Sequence, residues 1–309
     1  MNKYLFLKRG IAAAVMSASM LGTTASIAFA QSSVVSGTSV APPIYELMAT
    51  PGESVSKIVN VRNDSTQSQS YKMVVQGFTS SNETGGLSFL PVSSNDLSGW
   101  MKVSPDEFTL PPGQSKDVNV LIKVPATAAP GGHYATVFAQ TAGSSDAVAR
   151  IGSMVGSSFL VRVGGRVVEG ADVVEFSTPQ SRVIPGQMIE FTIRTKNTGN
   201  THIRPQGTIE IFNGDIKVDE IAVNPEGLSV LPGAVRKFNA ESNKTLPAGR
   251  YRTQMTLVYG SGQTVSVPAI SFMVVGEMSV ATIVAIVLAI FVLILAAALL
   301  VNRRPVGKK

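Results

Sequence analysis

Between residues 31 and 276, apolar and polar positions alternate with a period of two, and helical periodicity is hard to find. Over 117–124, Val118, Val120, Ile122 and Val124 are apolar while Asp117, Asn119 and Lys123 lie between them. Over 190–196, Phe191, Ile193 and Thr195 oppose Glu190, Thr192, Arg194 and Lys196. Over 251–259, Tyr251, Met255, Leu257 and Tyr259 share one face, and Arg252, Gln254 and Thr256 the other. This is the pattern of strands with one face buried and one wet. Pro-Gly and Asn-Gly pairs at short intervals supply the turns. Many short strands without intervening helices predict an all-β chain built of immunoglobulin-like β-sandwiches.

The pattern also repeats. Pro51-Gly52-Glu53 opens a strand that ends in Arg62-Asn63-Asp64-Ser65, and Pro185-Gly186-Gln187 opens one that ends in Lys196-Asn197-Thr198-Gly199-Asn200. LPPGQ at 110–114 answers to LPGAV at 231–235, and PGGHYATVF at 130–138 to LPAGRYRTQM at 246–255. These pairs are offset by 134, 120 and 117 residues, so the first unit is the longer internally, with its surplus near 79–98. A period above a hundred residues is a duplicated domain rather than a solenoid. Two tandem sandwiches are expected, 31–168 and 169–275, meeting near Gly164-Gly165-Arg166. In each Pro-Gly pair, proline fixes φ at the turn entry and glycine accepts the positive φ that follows.

Both ends break the alternation. Residues 1–30 combine a basic start (Lys3, Lys8, Arg9), an apolar run over 11–21 and small residues at Ala28 and Ala30. That is the form of a secretory signal peptide cleaved before Gln31. Residues 279–301 (SVATIVAIVLAIFVLILAAALLV) carry no charge, glycine or proline, and at ~1.5 Å per residue they would reach about 34 Å. A single transmembrane helix is expected there, followed by a basic cytoplasmic tail at 302–309. The expected topology is a single-pass protein of the cell membrane with its N-terminus outside.

Composition then narrows the chemistry. The net charge of +6 tempts a nucleic-acid reading, but three cations lie in 1–30 and four in 302–309, where no acid occurs. Removing those seven from 26 leaves 19 Lys and Arg against 20 Asp and Glu. A near-neutral middle gives no phosphate-tracking field, so no nucleic-acid partner is expected. The absence of cysteine excludes disulfides, thiolate metal sites and a cysteine nucleophile.

The search for sites returns little. His133 and His202 stand in different units, too few for a metal centre, which needs three or four converging ligands. Asp106-Glu107 and Asp219-Glu220 are adjacent pairs whose side chains point to opposite faces of a strand, whereas glycosidase carboxylates must converge. No Gly-x-Ser-x-Gly elbow occurs, and the segment 152–156 has the glycine spacing without a central serine. Gly85-Gly86 and Gly164-Gly165 lead into no helix and so form no phosphate loop. No catalytic residue, metal or cofactor is expected, and the chain is expected not to be an enzyme. The single tryptophan, Trp100, is read as a core residue before a glycan platform. Asn63-Asp64-Ser65, Asn82-Glu83-Thr84 and Asn243-Lys244-Thr245 are read as polar turns. The Ser/Asn/Gly-rich stretch 79–98 is expected to be an exposed hairpin or loop. A ligand site is placed there first, because loops on rigid sandwiches tend to carry binding.

The order PGESVSKIVNVRNDS (51–65), Trp100, VSPDEFTLPPGQSKDVNVLIKVP (103–125) and PGGHYATVFAQ (130–140) resembles the first ectodomain of the WxL-interacting proteins of Gram-positive bacteria. That resemblance implies a membrane-anchored surface protein whose first domain binds peptidoglycan and whose second binds surface proteins. The LPPG-plus-strand pattern is also similar to the fold of periplasmic pilus chaperones, which are soluble. Two functions follow as expectations. One is a non-enzymatic surface protein binding peptidoglycan and/or a secreted surface protein. The alternative is a chaperone-like or structural component of envelope or appendage assembly, in which an open sheet edge accepts or donates a strand.

Overall fold

A computed structural model of the chain describes residues 37–89, 94–141, 153–276 and 280–302, with side chains of the last segment described over 283–298. The first half contains strands β1 (Thr38–Ala41), β2 (Ile44–Ala49), β3 (Ser54–Asn63), β4 (Gln69–Gly77), β5 (Thr79–Ser80) and β6 (Leu87–Ser88). It continues with β7 (Met101–Ser104), β8 (Glu107–Leu110), β9 (Ser115–Lys123), β10 (Gly131–Thr141) and β11 (Met154–Val163). The second half contains β12 (Ala171–Ser177), β13 (Arg182–Val183), β14 (Ile189–Asn197) and β15 (Gln206–Asn213). β16 (Ile216–Val223), β17 (Val235–Ser242), β18 (Gly249–Tyr259) and β19 (Gln263–Val274) follow, then helix α1 (Val280–Asn302).

The strands form two pairs of facing sheets. The first pair has the orders β1-β3-β9-β7 and β2-β11-β10-β4-β8, and the second β12-β14-β17 and β13-β19-β18-β15-β16. The first strand of each half changes sheet partway. β1 pairs antiparallel with β3 and, after Pro42-Pro43, β2 runs parallel to β11. β12 pairs antiparallel with β14, and β13 runs parallel to β19. The alternating residues face inward as their pattern requires: Val118, Val120 and Ile122 are buried, as are Phe191, Ile193 and Thr195. Two cores result, one around Val59, Val120 and Phe159, the other around Phe191, Ile209 and Met255.

The sequence repeat has a structural cause. Asn63 and Asn197, each fully buried at the end of equivalent strands, hold the same turn in place. Asn63 Nδ2 donates to the carbonyls of Gln67 and Leu110 at 2.7 and 2.9 Å, and its Oδ1 accepts the Ser65 N–H at 3.0 Å. Asn197 Nδ2 donates to Thr201 and Val230 at 2.7 and 2.8 Å, and Oδ1 accepts the Gly199 N–H at 2.8 Å. The carbonyls of these asparagines accept the N–H groups of Gly113 and Gly233. Those glycines sit at φ +73° and +74°, the left-handed position the Pro-Gly turn demands. Trp100 follows the same logic of packing: it lies against the first core, with its ring 4.3 Å from that of His133.

One expectation is corrected. Among the described residues, no helix is long and apolar enough to cross a membrane. The chain is helical over Val280–Asn302. The single-pass placement in a cell membrane is therefore withdrawn.

Candidate functional site

A cleft of about 320 Å³ between the two sandwiches combines apolar and charged walls. Its first wall is built by Ile44 of β2, Ser158 and Leu160 of β11, Phe78, and the β5–β6 hairpin. Its second wall is the loop 226–231 with Ala234, Arg236 and Arg204. The floor is a small buried cluster in which Phe78, Tyr134 and Leu160 meet Leu231 across the junction.

Polar contacts fix the two walls relative to each other. The Tyr134 hydroxyl accepts the backbone N–H of His202 at 2.9 Å and lies 3.4 Å from His202 Nδ1. Burial pushes the Tyr134 phenol well above its usual range. Burial, with Arg204 and Arg162 nearby, pushes the His202 imidazole down to about 4. Asn200 spans the junction with both ends of its amide. Its Nδ2 donates to the carbonyls of Pro130 and Arg166 at 3.2 and 3.1 Å, and its Oδ1 accepts the Val168 N–H at 2.8 Å. Its own carbonyl accepts the Gly132 N–H at 2.8 Å. A Cβ at Gly131, which has φ +125°, would sit 2.4 Å from that carbonyl, so only glycine allows the approach. Glu169 is nearly buried and bonds Arg162 at 2.7 Å and both the N–H and hydroxyl of Ser261. Burial raises its carboxyl, and these bonds outweigh that, leaving it below the usual range.

The stretch 79–98 is a hairpin where it is described, yet its tip is not free. Glu83 forms a two-pronged pair with Arg194 of β14, at 2.7 Å to Nε and 2.6 Å to Nη2, and its carbonyl accepts the Lys237 N–H. The hairpin is thus a strap from the first sandwich to the second, closing one side of the cleft. Replacing Glu83 with glutamine is expected to loosen it, because the charge-assisted fork is lost. Hydrogen exchange should then quicken at 79–88 and at the Lys237 amide, with the rest of β17 unchanged.

The other singled-out residues do not converge. His133 is buried in the first sandwich, with Nε2 2.9 Å from the Ala129 carbonyl, while His202 stands at the junction. No group of three or more His, Asp or Glu that could hold a metal occurs among the described residues. Glu107 pairs with Lys72, Asp219 accepts the Ser242 hydroxyl, and Glu220 pairs with Lys217. Ala28, Ala30 and Gln31, the expected cleavage site, lie outside the described residues. Tyr134, Arg204 and Arg236 were not singled out by sequence reasoning. Tyr134 carried the one usable signal, its place in a repeated motif opposite Tyr251.

No family model matches the chain, and no curated protein does. Among solved structures it is similar to a chain of the chaperone–tip adhesin complex of CFA/I fimbriae biogenesis. That match has 12% identity and a TM-score of 0.41, and covers 78% of this chain and 99% of that one. It is also similar to the class 5 fimbriae chaperone CfaA (11% identity, TM-score 0.41, 77% and 99% covered). A third is the E. coli chaperone DraB (14% identity, TM-score 0.35, 76% and 96% covered). At such identities and scores the likeness concerns the fold alone. The resemblance to the WxL-interacting proteins is corrected here: no family model supports it, and none of the similar structures named above is such a protein. Peptidoglycan binding, which stood on that resemblance, loses its basis.

Proposed function

We propose that the chain is a non-enzymatic, chaperone-like assembly protein of the cell envelope. In this reading its two sandwich modules, 31–168 and 169–275, bind an extended segment of a secreted surface protein by strand addition. The observation that carries the proposal is the free edge of β2. Ser158 N–H donates to the Pro43 carbonyl and Gly164 N–H to the Ala49 carbonyl, so odd-numbered residues of this strand face β11. The peptide groups of Ile44, Glu46 and Met48 therefore face away, on the outermost side of their sheet.

This edge is guarded less than the others: its one charge, Glu46, is held by Arg204, and its prolines, Pro42 and Pro43, precede the strand. Natural edges are blunted by shortness, charge, proline or bulges. β1, β7 and β8 have four residues each, and β13 has two. β12 and β16 are bulged and charged, β17 carries Arg236, Lys237 and Glu241, and the open side of β19 contains Pro268. β2 instead presents Ile44 at 44% and Met48 at 79% exposure, and Ile44 also lines the cleft. A partner strand beside β2 would gain main-chain bonds from the edge and side-chain contacts from the cleft.

The test places a photo-crosslinker at Ile44 in the full chain in its host. A covalent adduct with an extended, alternating segment of one secreted protein is expected. It should fall at least tenfold when Met48→Pro removes one outward N–H. Adducts unchanged by Met48→Pro, or none at all, would overturn the reading.

A further inference from the structure

The cleft also holds a cation that has no counter-charge. Three other arginines at the junction have carboxylate partners: Arg194 with Glu83, Arg204 with Glu46, and Arg162 with Glu169. Arg236 has none within ion-pair distance among the described residues. Its Nη1 donates to the Ser229 carbonyl at 2.7 Å, and its Nη2 lies under the turn of the β5–β6 hairpin. A Cβ at Gly85, which has φ +95°, would come within 2.4 Å of Nη2, so the turn passes directly over the guanidinium. Burial lowers the pKa of Arg236, the cost of drawing a charge away from water without a partner.

Beside this cation the walls are apolar. Phe78, Leu160 and Leu231 form the floor, with Ile44 and Leu87 at the sides. Glu226 is the one acidic residue of the lining, where Arg204 is already held by Glu46. A volume of about 320 Å³ is at the small end of ligand pockets, which run from about 300 to 1,000 Å³. It suits a single large side chain rather than a whole ligand, the usual form of a protein–protein anchor. We propose that the cleft reads a partner segment carrying a large apolar side chain next to an acidic one. The apolar group fills the floor and the side-chain carboxylate pairs with the Arg236 guanidinium through the N–H groups that Ser229 does not occupy. This rests on the strand-addition reading above, since β2 and the cleft share Ile44.

The probes are ten-residue peptides, otherwise alternating in apolar and polar residues, with amidated C-termini, which removes the chain-end carboxylate. One carries Phe and Glu two residues apart, the second Phe and Gln, the third Ala and Glu, and a fourth repeats the Phe–Gln peptide as the free acid. Binding to the full chain is measured by calorimetry. The amidated Phe–Glu peptide is expected to bind at least fivefold tighter than either amidated variant. Arg236→Gln should erase the Glu-over-Gln preference while keeping the Phe-over-Ala preference. Equal binding of the Glu and Gln peptides, tight binding of the free acid alone, or a Glu preference surviving Arg236→Gln would each overturn the proposal. Met48→Pro separates the two readings. If it abolishes peptide binding while Arg236→Gln changes nothing, strand addition stands and the acidic anchor falls. If Arg236→Gln alone abolishes binding, the cleft stands and the β2 edge falls.

Discussion

Replacing Asn197 with alanine is expected to lower the unfolding free energy by about 3–5 kcal/mol. The substitution strips the partners from the Thr201 carbonyl and the Gly199 N–H, and one of two from the Val230 carbonyl, which keeps the Ile203 N–H; all three are held by one side chain with no exposed surface. Each buried polar group left unpartnered costs about 1–3 kcal/mol, with partial relief where the turn relaxes toward water. Asn63→Ala should cost less, because the Ser65 and Ser68 hydroxyls still donate to the Gln67 and Leu110 carbonyls when the amide is gone. Asn197→Asp is the informative companion. It keeps the acceptor for Gly199 but loses both donors, and it adds a charge at a buried site, so it should be no milder than alanine. Chemical denaturation followed by circular dichroism checks this. A loss below about 1 kcal/mol for both alanine variants would show that the two turns stand without their asparagines.

Those asparagines also mark which features of the fold are legible in the sequence and which are not. The repeat was legible because each sandwich needs a buried amide, a Pro-Gly turn at positive φ and a core tyrosine at fixed places, and few residue types meet those needs. Strand alternation was legible for the same local reason. The resemblance to a wall-binding family rested on PGESV, LPPGQ and PGGHYATVF, and the structure shows what these residues do. They make the turn at Gly52, the turn at Gly113 and the inward face of β10. That is chemistry any such sandwich demands, so it indicated fold rather than ligand.

What remained hidden is what only tertiary folding brings together. Glu83 and Arg194 lie 111 positions apart in the chain, and nothing local in either segment announces the other. The tyrosines make the same point. Tyr251 turns its hydroxyl back to the carbonyl of Pro247, four residues away, at 2.7 Å. Tyr134 occupies the matching place in the first sandwich, but its hydroxyl crosses to His202, 68 residues on. A repeated residue has thus become the contact that ties the two sandwiches together, and only its partner distinguishes the roles.

That contact gives the protein an expected acid sensitivity centred on His202. The ring packs edge-on against Tyr134 at 5.7 Å, and its side chain is 12% exposed. Burial comes first in lowering its pKa, with Arg204 and Arg162 adding repulsion, Glu169 opposing them and Glu46 4.0 Å from Nε2. The folded ring therefore titrates near 4, against 6.5 for an unperturbed histidine. Above 6.5 both folded and unfolded chains carry a neutral ring, and the stabilising contact is present in full. As pH falls below 6.5 the unfolded chain takes up the proton and the folded chain resists, so stability declines until about pH 4, where the loss levels off. At about 1.4 kcal/mol per pKa unit the loss attributable to this ring is about 3 kcal/mol. Carboxylates titrate at the lower end of the same window, so the measurement is a difference. Denaturation curves at pH 7 and pH 4 are compared for the native chain and for His202→Gln, which cannot titrate. The variant should start less stable at pH 7 and lose about 2–3 kcal/mol less between the two pH values, and an equal loss in both proteins would place the acid sensitivity elsewhere. Tyr134→Phe adds the structural half of the argument: it leaves the His202 N–H without its acceptor, so it should weaken the junction at both pH values.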